Sequence, residues 1–581
     1  MGRIHHVAGR RQLLRLAAAG AGALVPVTGV MAAAATDESG TLHWCDPDGR
    51  PHADARQAVG LLLAAGDDGL EPADYGAAAL ERQLARLARE APPDLIAAAA
   101  FDHALDQALQ RLLLDLHRGR VDPRRLALDF EPVAADGFDA AALLQTARSA
   151  GRLTDAVRAA APALPQYAAL RAMLARYRPL IDHPAWQQPL PALPTARGRP
   201  AALAPGGDWA GVERLAERLA ALGDLAETDR PAPGTPRYDS ALVAALQAFQ
   251  QRHGLGGDGV IGTATLARLQ VTPAVRVRQI GLALERLRWT PLLQGPRMIV
   301  VNLPEFVLRA YEVDAAQRIQ VRREMRVIVG KALDTRTPLF DEAMRAVEFS
   351  PYWNVPPSIA RGELIPQLRR APGVWARDGY EFVTDGGGVQ RALDAAGLAA
   401  VQAGRWRIRQ RPGARNALGD IKFVFPNRDH IYLHHTPSVG LFARDRRDLS
   451  HGCIRVEDPF ALATFVLQDE PDWPPARIRG AMAAGESRSV RLRAPIPVLI
   501  AYGTALVKAG RIHFFRDLHG LDPVLDPALR QRSAPLAPAL PALVVSRLAL
   551  CELLPTRPRT AVWAIRDAPT ANRQLGIESW A

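Results

Sequence analysis

The chain has 581 residues, of which 48% are hydrophobic and 23% are charged, and its formal net charge is +12. This length exceeds what a single hydrophobic core supports, so we expect roughly two to four domains of an ordinary globular kind. A basic surface suits an anionic cell envelope or nucleic acid, but no motif of a nucleic-acid-binding protein is evident, and we expect no nucleic-acid partner.

The first 35 residues have the three parts of a signal peptide. Arg10 and Arg11 form a basic start, residues 13–31 are apolar, and residues 32–35 are small. The paired arginines before Gln-Leu-Leu resemble a twin-arginine signal, while an ordinary secretory signal and an uncleaved anchor are the alternatives. No later stretch approaches the ~20 apolar residues of a membrane span. We therefore expect export to the periplasm or cell envelope, with no transmembrane domain beyond the signal.

Residues 36–200 are predicted to form a helical scaffold domain, because apolar residues recur at helical spacing in AVGLLLAA, ALERQLARLA, ALDQALQRLLLDL and YAALRAMLARYR. The Pro-rich end of this region, residues 182–200, is predicted to be a linker. Residues 205–272 then predict a compact module of three short helices. Two of these helices have an apolar face, formed by Leu215, Leu219 and Leu222 and by Leu242, Leu246 and Phe249.

A predicted helix over residues 278–291 leads into residues 290–530, where short strand patterns dominate. RMIVVNL, FVLRAYEV, REMRVIVG and AVEFS are β-branched or alternating and are separated by turn residues, which predicts a mostly-β, sandwich-like domain. Residues 360–407 have a helical, polar pattern and are predicted to be a helical insertion. Residues 495–516 predict a closing hairpin of the sheet, and residues 531–581 give no assignment. The expected fold class is therefore α+β and multidomain.

The chemistry of the chain is concentrated in residues 432–459, YLHHTPSVGLFARDRRDLSHGCIRVEDP. A thiol is a good nucleophile only as the thiolate, so a catalytic cysteine needs a nearby base or cation to lower a reference pKa of about 8.5. Cys453 has four candidates for that role, His434, His435, His451 and Arg455. The alternatives are a buried structural thiol and a His/Cys metal site, which lacks the paired ligand spacing of a zinc module.

A predicted strand at residues 431–435 selects among the histidines, because alternate side chains of a strand share a face. Ile431 and Leu433 point one way, together with His435, and are expected to face the core. Tyr432 and His434 point the other way, toward a cleft. The expected base is therefore His434.

His451 lies only two residues before Cys453, a spacing that seldom allows a good imidazole–thiol hydrogen bond, so we expect it to stabilise the loop. Gly452 allows the backbone to approach a substrate closely. The backbone amides of Gly452 and Cys453 are expected to donate to an oxyanion. This chemistry calls for no metal ion and no organic cofactor, and none is expected.

Three cysteines, Cys45, Cys453 and Cys551, form an odd set. An exported chain with this set has at most one disulfide and at least one free thiol. The sequence leaves two alternatives, a disulfide between Cys45 and Cys551 or three unpaired thiols.

SHGCIRVEDP, residues 450–459, resembles the signature of the L,D-transpeptidases of the YkuD type, and IYLHHTP resembles the upstream half of that signature. VNLPEFVLRAYE, MRVIVGK, FSPYWNVPPSI and RQRPGARNALGDIKFVFPN are similar to the large periplasmic members of the family, which have a scaffold domain and a wall-binding module. FQQRHGLGGDGVIGTATLARL, within residues 205–272, is similar to the peptidoglycan-binding domains.

The resemblance implies a role for each residue of the motif. Cys453 would be the nucleophile, His434 its general base, Ser450 a helper of the histidine, and Gly452 with Cys453 the oxyanion donors. One departure is His435, at a position where the family commonly has Gly or Asp. The residues expected to bind the substrate are Tyr432, Arg455, Trp353, Asn354 and His451.

The resemblance also implies an activity. Cys453 would take an acyl group from a peptidoglycan tetrapeptide stem, release D-Ala and pass the acyl group to a second stem as a 3→3 cross-link, with residues 360–407 as a cap over the cleft. A carbapenem would react with the same thiol. The alternatives are an L,D-carboxypeptidase, a lipoprotein-anchoring transpeptidase and a non-catalytic peptidoglycan-binding protein. The expected partners are tetrapeptide stems and glycan, and the expected oligomeric state is a monomer.

Overall fold

The computed structural model describes residues 42–92, 94–126, 137–196, 199–200, 202–291, 295–316, 318–331 and 335–531. The expected signal peptide, Cys551 and residues 532–581 lie outside these ranges. In the part of the chain that is described, no helix combines the length and the apolar character needed to cross a membrane.

The N-terminal domain is helical, as predicted. Its helices are α1 (Ala53–Leu63), α2 (Ala77–Leu87), α3 (Leu95–Arg118), α4 (Ala140–Ser149), α5 (Leu153–Ala160) and α6 (Pro165–Tyr177). The longest, α3, begins where the Asp94 carboxylate accepts hydrogen bonds from two backbone amides, and it ends at Gly119, whose φ of 76° favours glycine. Helices α1 to α5 share a core that contains Trp44, Phe101 and Leu109.

Residues 182–200 were predicted to be a linker, but they pack against the module that follows. Leu190 and Leu193 are buried in the core of that module, because the Pro-rich stretch QPLPALP also carries leucines. The buried guanidinium of Arg218 donates to the carbonyl oxygens of Ala185 and Gln188, at 2.8 and 2.7 Å. A short pair of strands ends the segment, β1 (Thr195–Ala196) and β2 (Arg199–Pro200).

The predicted module of three helices is present. It consists of α7 (Val212–Ala221), α8 (Ser240–Arg252) and α9 (Thr263–Leu269). The two predicted apolar faces meet in its core, where five residues are fully buried, Leu215, Leu219, Leu242, Leu246 and Phe249. Leu222 lies just past the end of α7 and is half-buried.

Helix α10 (Pro273–Trp289) is longer than the predicted 278–291 at its N-terminal end. Proline supplies the φ angle of a first helical residue and lacks only an amide that would be unpaired there, so the helix begins at Pro273. Ile280 and Leu284 of α10 pack against Leu170 of α6. Helix α10 therefore contacts the N-terminal domain and leads into the β domain.

A nine-stranded sheet forms the β domain. Its strands are β3 (Arg297–Asn302), β4 (Val307–Val313), β5 (Ile319–Gly330), β6 (Phe340–Phe349), β11 (Ile421–Val424), β12 (Leu433–His434), β13 (Asp448–Ser450), β14 (Ile454–Val456) and β15 (Arg488–Ala501). They follow the order β13-β5-β14-β12-β11-β6-β15-β3-β4, and β4 also pairs with β5. The sheet therefore closes into a barrel, whereas a sandwich-like domain was expected.

The barrel interior holds the main core of this domain. Val327, Val347, Phe423 and Ile454 are each fully buried there. Two helices after the motif also reach this core, α15 (Pro459–Val466) and α16 (Pro475–Ala483). Residues on the inner face alternate with residues on the outer face, and it is the outer face that carries the candidate site.

The insertion contains strands as well as helices, whereas only helices were predicted. Its sheet has the order β7-β10-β8-β9, formed by β7 (Trp353–Asn354), β8 (Tyr380–Val383), β9 (Val389–Gln390) and β10 (Arg407–Gln410). Its helices are α11 (Pro357–Ile359), α12 (Ile365–Arg370), α13 (Gly373–Asp378) and α14 (Ala395–Gln402), with a π-helical turn at Ala360–Leu364. The strands were missed because each is short, although the glycines between β8 and β9 are a hairpin signal.

The predicted closing hairpin at residues 495–516 is wrong in its placement. Strand β15 belongs to the barrel, but β16 (Ala505–Lys508) and β17 (Arg511–Phe514) form a separate two-stranded sheet. Phe514 packs in a core shared with α6 and α10. The strand pattern predicts a hairpin but carries no information about which sheet it joins. Helix α17 (Asp522–Arg530) follows.

A buried ion cluster joins the three-helix module to this hairpin. The carboxylate of Asp224, just after α7, is fully buried and forms ion pairs with Arg252 of α8 and Arg511 of β17. Nη1 of Arg252 also donates to the carbonyl oxygen of Ile512 at 2.8 Å. The module therefore has a specific orientation on the hairpin.

Candidate active site

Neighbouring strands of the barrel carry the central residues of the candidate site. Strand β12 pairs in parallel with β14, which places His434 beside Arg455, and antiparallel with β11, which places His434 beside Lys422. Continuing the parallel register by one residue sets Tyr432 beside Cys453. All five side chains therefore start from one face of three adjacent strands.

The opposite face of these strands belongs to the barrel core. Ile431 and Leu433 are buried in that core, as the alternation of the sequence predicts. His435 was expected on the same side, but β12 ends at His434. Nδ1 of His435 lies 2.6 Å from Oδ1 of Asp420, so this imidazole contacts a neighbouring loop.

The thiol of Cys453 is half-buried beside Tyr432. Burial raises its pKa above the ordinary value, while hydrogen bonds from Tyr432 and the charges of Lys422 and Arg455 act in the opposite direction. Sγ also lies 3.8 Å from the carbonyl oxygen of His430, which is a weak contact. The resting thiol is therefore protonated, with two cations close enough to favour the thiolate once the proton leaves.

His434 is buried, with 4% of the residue exposed. Nδ1 lies 2.5 Å from the carbonyl oxygen of His435, and because a carbonyl only accepts, Nδ1 carries the proton. Burial and then the nearby charge of Arg455 lower the pKa of His434 to about 3, so the ring is neutral at physiological pH. In this tautomer Nε2 is the nitrogen with the lone pair that a general base needs, and a hydrogen bond with the backbone of Leu418 also acts on the ring by raising its pKa.

The structure does not join the two principal candidates directly. Among the described residues, the hydrogen bonds of the thiol go to Tyr432 and His430, and none goes to His434. The ring of Tyr432 lies against both groups, because its centroid is 5.6 Å from that of His434 and its hydroxyl bonds to Cys453. Tyr432 therefore contacts the thiol and the imidazole at once.

Lys422 belongs to this group although the motif did not reveal it. Its Nζ lies 3.2 Å from Oε2 of Glu348 and 4.5 Å from the centroid of the Tyr432 ring. Its charge lowers the pKa of Cys453, against the effect of burial. A signal was present in the sequence, because Lys422 alternates with core residues in IKFV, the arm that pairs with the predicted strand.

Ser450 contacts the backbone of the motif and not the histidine it was expected to help. Its hydroxyl donates to the carbonyl oxygen of Cys453 at 2.6 Å and accepts from the amide of Gly452 at 3.2 Å. The amide of Gly452 is therefore engaged, and the amide of Cys453 is the remaining candidate for an oxyanion donor. Only a folded loop brings Ser450 against these backbone groups, so its partner could not be read from sequence.

Gly452 is required by the shape of this loop. Its φ of 118° is rarely adopted by residues with a side chain, and a Cβ built there would lie 3.1 Å from Cδ1 of Ile431. The hydroxyl of Thr337 donates to the carbonyl oxygen of Gly452 at 2.7 Å. The backbone before Cys453 is thus held from both sides.

Two of the predicted substrate-binding residues lie on strand β7 of the insertion, in different settings. A hydrogen bond from Trp353 to Tyr432 acts to lower the pKa of that phenol, although burial raises it overall. Trp353 therefore connects the insertion to the site. Asn354 is exposed and pairs with Arg409 in the sheet of the insertion, and no hydrogen bond or ion pair of its side chain with the other described site residues was found.

Two more of the five predicted substrate-binding residues, besides Tyr432, flank the thiol in sequence. Nε2 of His451 lies 2.6 Å from Oε1 of Glu363, in the π-helical turn of the insertion. Arg455 is half-buried, and its Nε has no hydrogen-bond acceptor among the described residues. Burial lowers the pKa of Arg455, an effect that the nearby Cys453 opposes. A guanidinium with an unused donor beside the thiol suits an anionic group of a substrate.

Comparison with known families matches three parts of the chain. Residues 296–487 match the YkuD L,D-transpeptidase catalytic domain, residues 36–174 match a scaffold domain, and residues 210–269 match a "putative peptidoglycan binding domain". The catalytic-domain match contains eight of the nine barrel strands, the insertion and every candidate site residue, and strand β15 lies just beyond it.

A curated protein from Haemophilus influenzae, named "Putative L,D-transpeptidase", is 32% identical over 245 residues, which are 42% of this chain and 48% of that protein. The chain thus matches about half the length of this curated relative. A solved structure of a fused Zn-dependent amidase/peptidase/peptidoglycan-binding domain-containing protein from Clostridium acetobutylicum is 18% identical, covers 25% of this chain and 70% of that one, and has a TM-score of 0.11. A likeness that low carries no argument.

Proposed function

Because the chain carries a catalytic domain of the YkuD L,D-transpeptidase family, we propose that it forms 3→3 cross-links in peptidoglycan through an acyl-enzyme on Cys453. The observation that carries this proposal is the grouping of Cys453, Tyr432, His434, Lys422 and Arg455 on one face of the barrel, with the insertion in contact through Trp353. A nucleophile, a neutral imidazole and two cations are the parts that acyl transfer requires.

The first step is attack of Sγ of Cys453 on the carbonyl between the diamino acid and the terminal D-Ala of a tetrapeptide stem. The thiol proton passes to Nε2 of His434 and then to the departing amine, so D-Ala leaves and a thioester remains. Since burial disfavours the charged forms of both groups, the proton leaves the thiol as the S–C bond forms. Closure onto the substrate brings the two side chains into contact, as is common for catalytic groups that lie apart in a free enzyme.

Several groups of the site stabilise the negative charge that develops in this step. The amide of Cys453 and the hydroxyl of Tyr432 donate to the tetrahedral oxyanion, and loss of one such donor costs on the order of 3–4 kcal/mol in comparable sites. Lys422 and Arg455 stabilise negative charge near sulfur. The unused Nε of Arg455 also suits the carboxylate of the leaving D-Ala.

The second step transfers the acyl group to an acceptor. The side-chain amine of a second stem attacks the thioester, forms the new amide and returns the thiol. Water competes with this amine, so a transpeptidase must exclude it. Trp353 and Glu363 of the insertion contact Tyr432 and His451, and these contacts support a role of the insertion as a cap over the cleft.

The three-helix module supports a wall location for this chemistry. Its match to a peptidoglycan-binding domain and the buried Asp224 cluster suit a protein that binds peptidoglycan with the module while the barrel acts on stems. We place the enzyme in the periplasm or cell envelope as a monomer. The expected signal peptide at residues 1–35 provides the route of export.

The test incubates the full chain with purified disaccharide-tetrapeptide and identifies the products by mass spectrometry. A cross-linked dimer with release of D-Ala is expected, together with a covalent carbapenem adduct on Cys453. Cys453→Ala is the matched control and should give neither. Tripeptide without dimer would instead assign the alternative L,D-carboxypeptidase activity. An acyl-enzyme that neither stems nor water resolve would favour a lipoprotein lysine as acceptor, and a protein with no product and no adduct would be a non-catalytic binder.

A further inference from the structure

A cavity of about 480 Å³ lies between helices α6 and α10 and the outer face of strands β3, β4 and β15. Its volume falls in the range of small-molecule sites, about 300–1,000 Å³. None of the described residues that line it belongs to the Cys453 site. The proposed transpeptidation therefore leaves this cavity without a role.

The walls of the cavity are mainly aliphatic. Leu170 of α6 and Leu287 of α10 form one side, and Val300 and Ala501 of the barrel form the other. Val321 also lines the cavity and is 51% exposed, so the cavity opens to solvent near this residue. A cavity with aliphatic sides and one open end matches the shape and chemistry of a hydrocarbon chain.

One polar group in this lining has an unused donor. Arg286 of α10 is 7% exposed, and its Nη1 lies 2.6 Å from Oδ1 of Asp522. Its Nη2 is buried and has no hydrogen-bond acceptor among the described residues. Other charged groups of the lining are paired, because Arg309 and Lys508 both contact Glu305. A buried donor without an acceptor is rare in folded proteins and calls for a partner.

We propose that this cavity binds a long-chain carboxylate, a fatty acid whose hydrocarbon chain lies along the aliphatic walls and whose carboxylate accepts a hydrogen bond from Nη2 of Arg286. The charge of Arg286 is shared with Asp522, but the unused N–H groups of its Nη2 complement an oxygen of the head group, and the walls complement the chain. This site is separate from the thiol and does not depend on the proposed activity. Its occupancy would connect the N-terminal domain, α10 and the barrel through one ligand.

Calorimetric titration of the full chain with decanoate, dodecanoate and tetradecanoate, each below its micelle-forming concentration, tests the apolar part of the proposal. Affinity should rise about fourfold for each added methylene that the cavity buries. Dodecanol, which has the same chain without the carboxylate, should bind about tenfold more weakly than dodecanoate. No measurable binding, or equal affinity for dodecanol and dodecanoate, would overturn the proposal. This part of the test uses the parent protein and needs no variant.

Two variants locate the site. Ala501→Phe fills the cavity and should weaken dodecanoate binding at least tenfold, and Arg286→Met should abolish the preference for dodecanoate over dodecanol. Val389→Phe, at an exposed position of the insertion, is the matched control and should bind as the parent does. Circular dichroism confirms that each variant is folded. Unchanged binding in Ala501→Phe would show that the ligand lies elsewhere and would refute the assignment.

Discussion

Nε2 of His451 lies 2.6 Å from Oε1 of Glu363, so a residue two positions before Cys453 is in direct contact with the insertion. Both side chains are partly exposed, and such pairs add only about 0–1 kcal/mol to stability. The contact therefore positions the His451 loop against the insertion and adds little to the stability of the fold. It connects the loop that carries Cys453 to the element proposed to exclude water.

Glu363→Gln should change the partition of the acyl-enzyme and leave folding unchanged. Loss of the carboxylate loosens the contact between His451 and the insertion, so water reaches the thioester more often and the ratio of cross-linking to hydrolysis should fall about twofold to fivefold. Product ratios by mass spectrometry measure this change. Asp385→Asn, an exposed charge elsewhere on the insertion, is the control. An unchanged ratio in Glu363→Gln would separate this contact from water exclusion.

Lys422→Met should make the thiol of Cys453 less reactive. The charge of Lys422 opposes the effect of burial on the pKa of this thiol, so its removal should raise that pKa and slow alkylation by iodoacetamide at pH 8 about threefold to tenfold. The assay uses a Cys551→Ser background so that alkylation reports on Cys453 alone. The third thiol, Cys45, is unreactive because burial raises its pKa to about 12.

The control for the lysine is Glu348→Gln, which keeps the cation and removes its carboxylate partner. Alkylation of Cys453 should be no slower than in the parent protein. A slow rate in both variants would indicate that the geometry of the Tyr432 ring, and not the charge of Lys422, sets the reactivity of the thiol.

Gly452→Ala should abolish acylation while most of the fold persists. A side chain at this φ is strained, and its Cβ would crowd Ile431, so the loop must move and carry the amide of Cys453 with it. A loss of at least a hundredfold in carbapenem acylation, measured by mass spectrometry, is expected. Gly440→Ala is the control, because nothing lies within 4 Å of a Cβ built there. Equal activity of the two variants would contradict the role given to the loop.

Asp115→Asn should stabilise the N-terminal domain in a pH-dependent way. Burial raises the pKa of Asp115 to about 6, and a hydrogen bond from Tyr75 only partly offsets this effect. Because the folded-state pKa is above the unfolded value, the free energy of unfolding falls as pH rises from about 4 through 6. The variant removes this loss and should gain about 1–3 kcal/mol at pH 8 and little at pH 4. Thermal melts of the variant and the parent at pH 4 and pH 8 test this prediction. An equal gain in stability at both pH values would exclude titration of Asp115 as the cause.

Periodicity predicted the parts of the site that depend on one strand. Alternation in 431–435 set Ile431 and Leu433 inward and Tyr432 and His434 outward, and the barrel has them so. It was wrong for His435 because the strand stops one residue earlier. An alternation with a period of two residues predicts which side chains share a face, but it does not predict the residue at which strand pairing ends.

Features that depend on contacts between distant segments were not accessible from sequence. Lys422 entered the site only because β11 lies next to β12, and Ser450 bonds to backbone only because the chain turns at Gly452. The hairpin β16–β17 was predicted as strands, yet its place against α6 and α10 follows from the side on which Phe514 is buried. These outcomes are set by tertiary packing, which overrides local preference.

The buried pairing of Asp224 with Arg252 and Arg511 has a consequence for where the enzyme works. Buried ion pairs contribute little net stability but are sensitive to geometry, so they disfavour rotation of one body on another. If the module binds peptidoglycan as proposed, its restricted orientation on the hairpin would limit the distance between the bound polymer and the thiol of Cys453. The enzyme would then select stems by their distance along the polymer from the site that the module binds. The spacing of new cross-links would reflect that distance.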